Sequence, residues 1–222
     1  MIYKEKILDE TVVKHILNFY EFCEFRDGAS TGPKTKDIKN NTELYDKNHK
    51  PALDKLLLSK VKDSVFIRES LMATRFSIPM FLKYDEDMHY SFHNDFFQQN
   101  GVRTDYSVTI FLSDPSTYEG GELNITIGNQ NLSYKEEPGT AIIYPTGLWH
   151  TVNQVTSGSR KVVVFWFQSA ISDPYLRNTC CDIMTLIKKS IDEEENFYLS
   201  REQTLILENM RFNLLRRYGN FD

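Results

Sequence analysis

Arg103-Thr104-Asp105-Tyr106-Ser107-Val108-Thr109-Ile110-Phe111-Leu112 alternates two kinds of side chain along its length. One set is Arg103, Asp105, Ser107 and Thr109, ending in Phe111; the other is Thr104, Tyr106, Val108, Ile110 and Leu112. Successive side chains on a strand leave opposite faces, so the stretch is a strand with one polar and one apolar face. An open antiparallel sheet could show the polar face to water. A jelly roll can instead line an internal pocket with it. The surrounding sequence, from about Ala73 to Ala170, is rich in β-branched and aromatic residues. It is cut by turn signals: Ser113-Asp114-Pro115, Glu119-Gly120-Gly121, Gly128-Asn129 and Glu137-Pro138-Gly139. About eight short strands fit this region.

Helices are expected on both sides of it. Asp9 can cap a helix running to about Phe25, with Val12, Ile16, Phe19, Tyr20 and Cys23 as the core-facing stripe. Arg26 to Lys50 is polar, with glycines at positions 28 and 32, and reads as a loop followed by a helix beginning near Pro51. Pro174 to Tyr218 reads as two helices separated around Glu193 to Asn196. There is no internal repeat. The pattern predicts one α+β, mainly β domain over residues 1–222, a jelly roll with flanking N- and C-terminal helices.

Composition narrows the function classes. Hydrophobic residues make up 41% and aromatic residues 13% of the chain, enough for a real core. A net charge of −5 disfavours a protein whose affinity rests on a nucleic-acid backbone. Met1-Ile2-Tyr3-Lys4-Glu5-Lys6 leads straight into charged sequence, unlike a signal peptide, and no apolar run reaches bilayer length. Cys23, Cys180 and Cys181 are an odd set with no useful metal-ligand spacing, which points to a reducing cytoplasm and to cysteines that simply pack.

The chemistry concentrates in His93-Asn94-Asp95, in Pro145-Thr146-Gly147-Leu148-Trp149-His150 and in Arg160. His93 and Asp95 are two apart, so on a strand they leave the same face and can chelate one ion. His150 opens a later apparent strand, His150 to Val155, that a sheet fold could bring back to them. Two imidazoles and one carboxylate on one side of a metal, with the opposite positions open, form the ligand set of non-heme Fe(II) oxygenases. Such an iron needs an electron-donating co-substrate, and a dicarboxylate bound through one end needs a cation at the other. Guanidinium suits that task, because it is permanently charged and grips a carboxylate through two parallel hydrogen bonds. Arg160 starts the apolar strand Val162-Val163-Val164-Phe165-Trp166-Phe167, where a charge is costly unless paired. It could also snorkel to solvent, although Lys161 is the natural solvent-facing charge. His15, His49 and His89 are read as surface, loop and rim residues. The competing reading makes His93 and His150 ordinary polar residues of a barrel.

At these residues the chain resembles the PKHD-type hydroxylases, a branch of the prolyl 4-hydroxylase-like Fe(II)/2-oxoglutarate dioxygenases. The resemblance extends through Arg103 to Pro115, Tyr118-Glu119-Gly120-Gly121-Glu122-Leu123, Tyr144-Pro145, His150 to Gly158 and Phe165-Trp166-Phe167-Gln168-Ser169. Asp27-Gly28-Ala29, Lys39-Asn40-Asn41 and Asn213-Leu214-Leu215-Arg216-Arg217 carry it towards both ends. It implies a double-stranded β-helix, the cupin-like jelly roll, with His93, Asp95 and His150 as iron ligands. It further implies that Arg160 binds the distal carboxylate of 2-oxoglutarate, that Tyr84 hydrogen-bonds the same co-substrate and that ascorbate serves as reductant. Tyr90, Arg103, Asp105, Thr109, Trp149 and Trp166 are expected in the substrate pocket.

Departures from the family pattern lie at Asn94 and Phe96 beside Asp95, at Trp149, and at Gln154 where a proline is usual. They leave the ligand set intact and put the substrate in doubt. The expected reaction is hydroxylation of an unactivated C–H bond, with a peptidyl proline in a protein or peptide as substrate. The same chemistry on a nucleobase or small metabolite, and a non-enzymatic cupin-like metal-binding module, are the rival readings. The polar segment 26–41 is long for a connection in a compact domain, and is expected either to close over the site or to be a surface loop with no role.

Overall fold

Two antiparallel sheets face each other in a computed structural model that describes residues 1–31, 38–192 and 197–221. The larger sheet runs, in spatial order, Tyr3–Lys6, Thr140–Pro145, Tyr106–Phe111, Arg160–Ser169, Met80–Tyr84, Thr42–Leu44 and Phe25–Asp27, and Ala73–Phe76 also pairs with Arg160–Ser169. The smaller sheet runs Gln130–Tyr134, Leu123–Ile127, Trp149–Val152, His89–His93 and Lys39–Asn40. Together they form the jelly roll, with helices Glu10–Phe22, Lys50–Asp63, Pro174–Ile191 and Arg201–Tyr218 outside it.

The alternation in the opening stretch divides the two cores. Tyr106, Val108, Ile110 and Leu112 pack with Val12, Val13, Ile16 and Tyr20 of the first helix and with Leu53, Leu57 and Val61 of the second. Phe111 turns the other way, into the sandwich, with Leu82, Ile125, Ile142 and Val162. Each fully buried aliphatic side chain contributes about 1.5–3 kcal/mol, so the two faces fix the strand's register strongly. The first helix starts where expected, with the Asp9 carboxylate accepting from the Val12 amide at 2.9 Å. It ends at Phe22 rather than Phe25, because Phe25–Asp27 pairs with Thr42–Leu44 and joins the larger sheet.

Two other expectations change. Arg26 to Lys50 is not a plain loop: on either side of residues 32–37, which lie outside the described residues, it contributes strands to both sheets. These strands are two or three residues long, too short to show periodicity, and are held by their neighbours' backbone groups. Gly28 is required at the crossing, since a Cβ there would lie 1.9 Å from Asn41 Oδ1. The strand expected from His150 to Val155 is two strands, Trp149–Val152 and Val155–Gly158, because each pairs with a different partner, Leu123–Ile127 and Tyr118–Gly120. This split, together with short strands such as Gln98–Gln99, Val102–Arg103 and Tyr118–Gly120, makes the strands between Ala73 and Ala170 more numerous than expected. The C-terminal helices are Pro174–Ile191 and Arg201–Tyr218; residues 193–196 between them are not described.

Candidate active site

His150 and His93 face each other across a pair of smaller-sheet strands, and Asp95 follows His93 just past the strand's end. Strand pairing thus closes the gap of more than fifty residues that separates them in sequence. His93 Nε2 lies 3.8 Å from Asp95 Oδ1, and His150 Nε2 lies 3.7 Å from Asp95 Oδ2. One donor atom from each of the three residues falls within 4.8 Å of the others, as a shared ion requires.

Both imidazoles are fixed in the tautomer that suits a metal. His93 Nδ1 meets the Ser91 carbonyl at 2.7 Å, and His150 Nδ1 meets the Leu148 carbonyl at 2.9 Å. A carbonyl can only accept, so each Nδ1 carries a proton and Nε2 is left as the nitrogen that can face a metal. Burial, reinforced by the neighbouring His150, pushes the His93 pKa down to about 4 and keeps that ring neutral near pH 7. Tyr90 stacks on His93 with ring centroids 3.5 Å apart. Tyr144 meets His150 edge-on at 5.2 Å.

The three residues open into a cavity of about 830 Å³ between the sheets, within the usual range for a small-molecule site. Arg160 stands in its wall, 1% exposed, directly opposite Tyr84 on the adjacent strand. Its guanidinium lies over the rings of Tyr84 at 5.0 Å and Phe111 at 5.4 Å. Among the described residues its Nε and Nη1 have no hydrogen-bond partner. Burial lowers its pKa from the usual arginine value, so the cation sits in a place that penalises charge. An anionic ligand is the partner such a group lacks. The buried Tyr118 hydroxyl, another neighbour of Arg160, also has no hydrogen-bond partner among the described residues.

Gly121 presses on this cation. Its φ is +67°, and a Cβ there would lie 2.9 Å from Arg160 Cδ and 3.0 Å from Val155 Cγ2. Gly121→Ala should therefore combine left-handed strain of about 1–2 kcal/mol with displacement of the guanidinium. The expected result is weaker binding of the anionic ligand that Arg160 calls for, exceeding any change in a Gly128→Ala control whose Cβ meets only open space, as measured by calorimetric titration.

Of the expected pocket residues, Tyr90, Thr109, Trp149 and Trp166 line the cavity, and Tyr84 and Arg160 do so with them. Arg103 and Asp105 do not. The regular strand begins only at Tyr106, so the alternation that carried them to the cavity face fails before it. Asp105 instead accepts from Arg103 Nη2 at 2.7 Å and the Ser169 amide at 2.8 Å, and pairs with Arg177 Nη1 at 3.0 Å. This buried carboxylate ties the sheet to the third helix and serves the fold. His15, His49 and His89 do not line the cavity. His49 does belong to a second potential ligand group with Cys23 and Asp46. That group is closed on itself, since Asp46 accepts from the His49 ring at 2.8 Å and from the Asn48 and His49 amides.

Sequence reading gave no site role to Tyr144, quoted only within a motif, or to Ile38 and Lys39, which lie in the stretch read as loop, and it placed Ser107 on the polar face without its contact to Asp95. At the mouth, Phe92 and Trp149 stack in parallel at 5.0 Å and remain about half exposed, with Phe96 and Phe97 beside them.

Residues 79–168 match the family model of the 2OG-Fe(II) oxygenase superfamily. A PKHD-type hydroxylase of Sphingopyxis alaskensis is 35% identical over 177 residues, covering 78% of this chain and 81% of its own. The PKHD-type hydroxylase YbiX of Shigella flexneri is 33% identical over 222 residues, covering 96% of each. Among solved structures, a Pseudomonas putida prolyl-4-hydroxylase superposes with a TM-score of 0.52 at 17% identity, covering 76% of this chain and 92% of its own. A Trichoplax adhaerens prolyl hydroxylase in complex with a hypoxia inducible factor peptide gives 0.53 at 15% identity, covering 75% and 82%. These two likenesses bear on the fold.

Proposed function

The chain belongs to the PKHD-type hydroxylases, within the 2OG-Fe(II) oxygenase superfamily, and on that premise we propose that it hydroxylates a prolyl residue in a peptide, using this cavity. It is an oxidoreductase whose family implies Fe(II) and 2-oxoglutarate. The donor set fits the metal: two Nε2 atoms and a carboxylate converge from His93, His150 and Asp95. The single observation that carries the co-substrate reading is the buried Arg160 in the same cavity wall, whose Nε and Nη1 have no hydrogen-bond partner among the described residues. When bound, iron and 2-oxoglutarate supply the oxidation of an unactivated C–H bond by dioxygen, with release of succinate and CO2.

The chain's own residues bind, orient and exclude water. Arg160 would hold the distal carboxylate of 2-oxoglutarate, with Tyr84 in the next strand as a hydroxyl donor to the same ligand. The backbone carbonyls of Ser91 and Leu148 hold both histidines in register. Apolar wall residues Leu82, Leu123 and Val164 keep the pocket dry. Tyr84→Phe removes one neutral hydrogen bond and should weaken 2-oxoglutarate binding by ~1 kcal/mol, about fivefold in Kd, without altering metal binding. Equal affinity in calorimetric titrations of both proteins would remove Tyr84 from the co-substrate site.

Support for a peptide substrate comes from the open mouth with its exposed Phe92, Phe96 and Trp149, against which a pyrrolidine ring can pack. Ile38 and Lys39, from the segment 26–41 whose residues 32–37 lie outside the described residues, line the cavity. A cytoplasmic setting is in keeping with three free, buried thiols, and ascorbate would serve as the reductant. The test is mass spectrometry of proline-containing peptides after incubation with Fe(II), 2-oxoglutarate and ascorbate. A gain of one oxygen on proline, with matched succinate, is expected. Turnover stimulated by a nucleobase or small metabolite, and by no proline peptide, would move the substrate to that class.

A further inference from the structure

Asp95 borders the proposed metal position with both of its oxygens. Oδ1 lies 3.8 Å from His93 Nε2 and Oδ2 lies 3.7 Å from His150 Nε2, so distance alone does not choose between them. The hydrogen bonds do. Ser107 Oγ donates to Oδ2 at 2.7 Å and Trp166 Nε1 donates to the same oxygen at 2.9 Å. These two donors use up the lone pairs of Oδ2. Among the described residues no hydrogen bond reaches Oδ1.

Both donors come from neighbouring strands of the larger sheet, Tyr106–Phe111 and Arg160–Ser169, where Ser107 and Trp166 are directly paired. Asp95 follows a strand of the smaller sheet. The contacts therefore staple the carboxylate's segment across the sandwich. The Ser107 hydroxyl has one proton and spends it on an acceptor-only carboxylate. Thr146 Oγ1, 3.2 Å away and buried, is thus the donor to Ser107 and fixes its rotation. Ser107 is fully buried and Trp166 is 8% exposed, so water does not compete for these bonds.

We infer that Ser107 and Trp166 are positioning residues that saturate one oxygen of Asp95 and hold the carboxylate to a single metal bond through Oδ1. The inference rests on the reading of His93, Asp95 and His150 as the metal site. Its consequence is functional, because a second bond from Asp95 would fill a coordination position that co-substrate or dioxygen needs. Loss of the clamp should weaken metal binding and also let 2-oxoglutarate turn over without hydroxylating substrate.

Cobalt(II) titration of the apoprotein without oxygen tests this independently of activity, through affinity and through a visible spectrum that reports coordination number. Ser107→Ala and Trp166→Phe should each weaken binding, and the double variant should do so roughly 10- to 100-fold, as for other groups that orient metal ligands. The double variant's absorption should change in the direction of a higher coordination number. Thr146→Val, one bond further out, should shift affinity less than Ser107→Ala. Near-ultraviolet circular dichroism confirms that each variant keeps its packing; should Trp166→Phe lose it, Ser107→Ala and Thr146→Val decide the question. Asp95→Ala is the reference. Binding lost in Asp95→Ala but unchanged in affinity and spectrum in the clamp variants overturns the clamp alone. Binding retained in Asp95→Ala overturns the ligand assignment and the clamp with it.

Discussion

Alanine at His93, Asp95 or His150 is expected to reduce 2-oxoglutarate turnover to background while leaving far-ultraviolet circular dichroism unchanged. The three side chains meet around an open position and contribute little to either hydrophobic core. The variants should nevertheless differ in stability. His93→Ala removes a ring that burial already holds neutral. Asp95→Ala strands two buried donors, Ser107 Oγ and Trp166 Nε1, at a cost of about 1–3 kcal/mol. Denaturant unfolding should therefore rank Asp95→Ala as the least stable apoprotein. Wild-type turnover in His150→Ala would defeat the three-residue assignment outright.

Arg160 should show opposite effects on stability and on binding. Without its ligand it is a buried cation with partnerless Nε and Nη1, which costs folding energy. Arg160→Met fills similar space without charge, so the apoprotein should melt at the same temperature or higher. Its affinity for 2-oxoglutarate should fall by about 2–5 kcal/mol, roughly 30- to several thousand-fold, as when one partner of a buried charge pair is removed. Arg160→Lys keeps the charge but loses the two-pronged grip and should fall between the two. Cobalt(II) affinity should persist in both variants. Unchanged 2-oxoglutarate affinity in Arg160→Met would assign the co-substrate's distal carboxylate to another group, of which Lys39, buried in the same cavity, is the nearest in kind.

The parts of the site visible in sequence were those encoded by spacing within one strand. His93 and Asp95 are read together because they are two residues apart, although the strand ends at His93 and Asp95 lies just past it, and Arg160 stands out because it opens an apolar strand. Period-two alternation also separated Val108 and Ile110, which pack in the helix-facing core, from Ser107 and Thr109, which face the sandwich interior. The same rule misplaced Arg103 and Asp105, since alternation says nothing about where a strand begins, and the carboxylate is held instead by Arg103 itself and by the buried Arg177. Lys39 was invisible for a different reason. A two-residue strand has no period, and it reaches the cavity only because His89–His93 lies beside it. The hydrogen bonds on Asp95 come from residues 12 and 71 positions away, a tertiary relation that no local pattern encodes.

Anaerobic titration of Fe(II) and 2-oxoglutarate, followed by visible absorption, tests most directly whether one cavity holds both. The wild-type protein should develop a saturable charge-transfer band only when metal and co-substrate are present together. The band should be absent in His150→Ala and should require much higher 2-oxoglutarate in Arg160→Lys. No band in the wild type, or an undiminished one in His150→Ala, would contradict the assignment of this cavity as the site of chemistry.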